Sequence, residues 1–167
     1  VATLTNDKAL QTDVAVHARG CISNFFDHQS QEGRIPMLIS VTAADPLGCL
    51  KGTRPHKHNQ AKPVIGQLAL MISDESGDAE WFRTHFANLK RFHDSWTADN
   101  LTVSGLLVWG DDVAIGNDND PTTYGRPYFS SANVFLNCFY YQDLRASAEL
   151  AKRWGLSIEH AQYSERA

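Results

Sequence analysis

Apolar positions along the chain follow two rhythms. One recurs at about 3.6 residues; the other is a set of short alternating or unbroken runs. Each predicts a different element. Leu10, Val14, His17, Cys21 and Phe25 recur at helical spacing and predict a first helix ending near Phe26. Thr5 or Asn6 is its expected cap, and Asp7 favours its positive end. A second helix is predicted over about Ala79 to Trp96. There Phe82, Phe86, Leu89 and Trp96 share one face, while Arg83, Lys90, Arg91 and Asp94 lie largely off it. The aromatic stripe reads as a core-facing surface. A third helix is predicted from Asp143 to Trp154, closed by Gly155 as a C-cap.

The other apolar runs predict strands at Ile35 to Val41, Val64 to Ile72 and Leu101 to Trp109. Gly110-Asp111-Asp112 is expected to turn the third of these back into Val113-Ala114-Ile115 as a hairpin. Asn133 to Tyr141, dominated by aromatic and β-branched residues, predicts a further strand. Leu156 to Glu159 reads as a last short strand or as a turn into another helix. Strand and helix do not alternate strictly. The expected fold is therefore α+β: a single domain over residues 1–167, with a mixed or antiparallel sheet and helices packed on one face.

Composition supports an ordinary globular chain. At 167 residues and 43% hydrophobic content it is long enough to build a core without staples. The longest apolar runs, such as Leu68-Ala69-Leu70-Met71-Ile72, are too short for a membrane span, and no secretory leader is expected. Cys21, Cys49 and Cys138 form no CxxC pair and make an odd count, which points to free thiols and a reducing, cytoplasmic setting. Cys138, inside Phe135-Leu136-Asn137-Cys138-Phe139, is expected to be buried.

Charge changes the picture more. The net charge is −4, which disfavours a protein that wraps nucleic acid through its whole surface. No acid occurs from Leu47 to Ser73, however, and Lys51, Arg54, His56, Lys57, His58 and Lys62 gather there. The expectation is a basic, solvated loop on an acidic body, able to contact phosphates. A second candidate surface combines Tyr124, Tyr128 and Phe129 with Arg126. Such groups stack on bases, and they equally suit protein interfaces.

Three short patterns resemble known catalytic or binding motifs. His56-Lys57-His58 resembles the metal-binding strand of rolling-circle replication and relaxase enzymes, a likeness that implies Tyr140 or Tyr141 as the later nucleophile. Lys57 stands where that family has an apolar residue, and no third ligand is identifiable. Gly110-Asp111-Asp112 between apolar runs is similar to the metal-binding hairpin of RNA-templated polymerases; a plain turn explains the same residues in so short a chain. Ala148 to His160 resembles the start of a helix-turn-helix, with Ser157 to Tyr163 as its second helix. A helix closed by Gly155 and followed by a strand is the preferred reading, because Glu159 and Glu165 would face phosphates. The loop Asn117-Asp118-Asn119-Asp120-Pro121 lacks the spacing of a calcium loop. His17, Cys21 and His28 share a helix face, yet a packed core histidine is the commoner outcome.

No catalytic constellation stands out, and no metal or cofactor is expected. The leading expectation is a non-enzymatic binding protein that acts on a nucleic acid or on a protein complex handling nucleic acid. A small metal-dependent phosphodiester-cleaving enzyme and a structural assembly protein are the alternatives.

Overall fold

The computed structural model describes residues 7–50, 59–116 and 120–167, and within them the chain is helical. Six helices follow in order: α1 (Lys8–Asp27), α2 (Ile65–Ser76), α3 (Glu80–Arg83), α4 (Phe86–Asn100), α5 (Val134–Arg153) and α6 (Ser157–Arg166). The expected α+β fold is therefore wrong. The described residues form no sheet, only isolated bridges pairing Ser40 with Ala43 and Leu101 with Leu107.

Two of the expected strands are helix for an identifiable reason. Residues 64–72 carry β-branched residues, and α2 has no side-chain cap of its own at Val64. Its cap comes from far along the chain. A carboxylate oxygen of Asp143, on α5, accepts from the Gln67 backbone N–H at 2.8 Å. Residues 133–141 favour strand by composition, but Asn133 caps the Leu136 N–H at 3.0 Å and starts a helix. Leu136, Tyr140, Asp143, Leu144, Ser147, Ala148 and Ala151 then line one buried helical face. Burial of that stripe outweighs the local preference for strand.

The helices that periodicity predicted are present. Asp7, rather than Thr5 or Asn6, caps α1; its Oδ1 accepts from Ala9 N and Leu10 N, at 2.9 and 3.2 Å. Thr5 and Asn6 lie outside the described residues. The stretch 79–96 is split into α3 and α4 by a turn at Thr84 and His85. Gly155, at φ +71°, closes α5 with paired bonds: its own N–H donates to Lys152 O and the Leu156 N–H donates to Ala151 O. The chain then continues as α6, so the strand preferred after Gly155 is a helix instead.

One buried cluster draws on all six helices, including Ile22, Phe26, Ala69, Phe82, Leu89, Leu144 and Tyr163. α4 supplies its aromatic centre. Phe86 meets Trp154 edge-on at 5.1 Å and Tyr163 at 5.7 Å, while Trp96 meets Trp109 at 6.1 Å. Each of the four tryptophans also donates its indole N–H: Trp81 to Ser73, Trp96 to Ala61 O, Trp109 to Asn133 and Trp154 to Ala79 O. These bonds join neighbouring segments and leave no indole donor unpaired. α2 approaches α5 closely because position 66 is glycine. A Cβ there would stand 2.7 Å from Ser147 Oγ and 3.1 Å from the Asp143 carbonyl oxygen.

The segment 101–109, expected as a strand, is a loop held by side chains. The Asn137 side chain accepts from Leu107 N at 2.9 Å and donates to Leu107 O at 3.0 Å. It thereby satisfies both backbone groups of Leu107, as a neighbouring strand would. Residues 113–115 form a turn instead of the return arm of a hairpin. Residues 35–41 are likewise irregular, anchored by Ala61 N donating to Ile35 O.

No described helix is long and apolar enough to cross a membrane. The cysteines are free; Cys49 is buried, and Cys138 is exposed, against the expectation from its apolar neighbours.

Candidate binding surface

Residues 120–141 build a grooved surface. Asp120 folds the loop through its Oδ1, which accepts from Thr122 N at 2.8 Å and Thr122 Oγ1 at 2.6 Å. Those bonds hold the Asp120 carboxyl below its ordinary range, so it carries its charge at neutral pH. Ser131 donates to Thr122 O, and Asn133 Nδ2 donates to Thr122 Oγ1 at 3.2 Å. Asn133 Oδ1 accepts from both the Trp109 indole and the first turn of α5. Residue 133 thus locks loop, core tryptophan and helix start together.

Two grooves meet at this point. One, about 560 Å³, lies between Asp120, Thr122, Arg126, Ser130 and Phe135. The other, about 310 Å³, lies between Leu106, Asn137, Cys138 and Tyr141. They share Ala132, Asn133 and Val134. Val134, 77% exposed, stands on that shared wall, with Phe135 and Tyr141 also exposed. Phe135 packs on Phe139 at 4.2 Å, which steadies an aromatic surface one helical turn long.

Of the sequence-predicted aromatic cluster, Tyr124, Arg126 and Tyr128 are exposed. Arg126 donates from Nε to Pro121 O at 3.3 Å, leaving its guanidinium at the groove. Phe129 differs from the expectation. It is half-buried, at φ +56°, and its N–H donates to Gly110 O at 3.2 Å, so it is a pivot of the loop. Val134 and Phe135 were missed, and Tyr141 entered only as a candidate nucleophile, because the predicted strand hid their common helical face.

Lys51, Arg54, His56, Lys57 and His58 lie outside the described residues. Lys62 is described, and it is not part of a solvated loop: it is half-buried beside α1 and α2. The structure does not bring it together with Tyr124, Arg126 or Tyr128.

The remaining motifs resolve into structural roles. Asp111 is buried and its Oδ1 accepts from Asn59 Nδ2 at 2.5 Å, Val113 N at 2.9 Å and Ala114 N at 3.2 Å. It folds a turn. Tyr140 is buried, donates to His93 O at 3.4 Å, and burial pushes its hydroxyl up to about 12, which unsuits it as a nucleophile. Tyr141 is exposed on the groove. His17, Cys21 and His28 do not gather with one another; the described residues hold no group of three His, Cys, Asp or Glu suited to a metal ion. The α5–α6 pair has helix-turn-helix order, yet Tyr163 of α6 is buried against Phe86 and His93.

A polar cluster that sequence reasoning missed lies in the core. His93 and Asp143 are wholly buried and bonded Nε2 to Oδ2 at 2.7 Å. The other ring nitrogen of His93 meets the Tyr163 hydroxyl at 3.3 Å. Arg166 covers the cluster, donating to His93 O at 2.7 Å and pairing with Asp94 at 2.8 Å. With the second oxygen of Asp143 capping α2, this cluster joins α2, α4, α5 and α6. Its burial marks it as a structural joint.

Compared with protein-family models, with curated proteins and with solved structures, the chain matches none.

Proposed function

We propose that this chain is a binding protein that docks a protein partner through the surface formed by residues 124–141. The observation that carries this reading is the meeting of two grooves at Ala132–Val134, with exposed Val134, Phe135 and Tyr141 around them and Arg126 at one end. Contiguous exposed apolar and aromatic side chains mark interaction surfaces, and tyrosine and arginine carry a large share of interface energy. The charged Asp120 on the groove and the net charge of −4 favour a polypeptide over a phosphate backbone.

The test compares immobilised wild-type chain with Val134→Asp and Tyr141→Ala in extracts of the source cells, after circular dichroism shows both variants folded. A partner retained by wild type and lost by both variants supports the reading. In parallel, fluorescence anisotropy follows labelled single-stranded and duplex oligonucleotides at two salt concentrations. Salt-sensitive oligonucleotide binding that survives both variants and is lost in Arg54→Ala overturns it in favour of a nucleic-acid partner.

A further inference from the structure

A third cavity, about 270 Å³, lies between α1 and the start of α2, away from the grooves of α5. Cys21, Ile22 and Phe25 of α1 form one wall, and Ile65 and Leu68 of α2 the other; Met37, Ala61 and Val64 complete an apolar lining. Among the described residues, Lys62 is the one charged residue on it.

The position of Lys62 is imposed by its backbone. Ala61 is held on both sides, its N–H donating to Ile35 O at 2.9 Å and its carbonyl accepting from the Trp96 indole at 3.2 Å. Pro63 follows and fixes the chain direction. The Lys62 ammonium lies over Gly116, where a Cβ would come within 2.8 Å of Nζ. It makes no ion pair or hydrogen bond with any described residue. Burial lowers its pKa, and no acid among the described residues acts on it. A half-buried cation without a counter-charge is costly, and a bound anion would offset that cost.

We propose that this cavity binds a small carboxylate with an apolar body, its carboxylate on Lys62 and its hydrocarbon against Ile22, Phe25, Ile65 and Leu68. The volume suits such a ligand: an apolar cavity of roughly 150 Å³ already holds benzene. A charged head on a compact apolar body matches one cation in an otherwise apolar lining.

Octanoate is the probe, with octanamide as its uncharged counterpart. Calorimetric titration at neutral pH is expected to show saturable octanoate binding, and octanamide is expected to bind roughly tenfold more weakly. Lys62→Met, which keeps an unbranched side chain and removes the charge, is expected to lose the same factor while melting no lower than wild type. Peptide mass spectrometry after iodoacetamide treatment gives a second readout. Octanoate should protect Cys21, at the cavity, and leave Cys138 as reactive as before. Absence of saturable binding, equal binding of octanoate and octanamide, unchanged affinity in Lys62→Met, or equal protection of both cysteines would each overturn the proposal.

Discussion

The buried cluster around His93 and the exposed surface around Val134 share a helix, and they invert the usual rule in opposite directions. On α5, Asp143 is wholly enclosed and polar, while Val134, Phe135 and Tyr141, less than three turns away, are apolar and open to solvent. The enclosed carboxylate is tolerated because both oxygens are occupied, one by His93 and the other by the first turn of α2. Among the described residues, Phe135 packs only along its own helix on Phe139, and no side chain covers Val134 or Tyr141 in a comparable way. Burial of polarity therefore serves the fold here, and the exposed apolar surface is where the proposed partner would dock.

The sharpest way to break this contrast is Asp143→Ala. It strips a buried histidine of its partner and uncaps α2 together, so a loss of about 3–5 kcal/mol is expected in urea unfolding. A loss below about 1 kcal/mol, the scale of a typical net hydrogen bond, would show that the cluster is not a joint. Gly66→Ala is expected next, at about 1–3 kcal/mol, because the new methyl meets Ser147 and the Asp143 carbonyl where α2 and α5 touch.

Alkaline pH sharpens the contrast without mutation. Burial raises the hydroxyls of both Tyr140 and Tyr163 above the ordinary value of 10.0. Their stabilising effect is fully present below the unfolded value and is lost as pH rises from there toward the folded one, about 12 for Tyr140. Melting temperature should fall across that window, with tyrosinate absorbance from these two residues appearing only as the chain unfolds. The smallest effect is expected for Tyr141→Ala, within about 0.5 kcal/mol of wild-type stability, while partner capture is lost.

The same inversion explains what was legible in the sequence. The stripe Phe82, Phe86, Leu89, Trp96 announced a helical face because its apolar residues are the buried ones, and Gly155 announced a cap because only local geometry is involved. The segment 133–141 misled because its aromatic residues occupy both faces of a helix, which erases the period and leaves only a composition favouring strand. The segment 64–72 misled because its helix is capped by a residue far along the chain. Tyr124, Arg126 and Tyr128 were legible as surface chemistry in a polar loop. Lys62 was not, since a charge run carries no sign that one member turns inward.

Asn137 has a consequence for the behaviour of the chain in concentrated solution. Leu106-Leu107-Val108-Trp109 is the kind of apolar, uncharged run that pairs readily with its own kind once its backbone is free. By occupying both the N–H and the C=O of Leu107, the Asn137 amide denies a second molecule its first point of attachment. On this account Asn137→Leu is expected to yield thioflavin-positive aggregates under conditions where wild type stays clear.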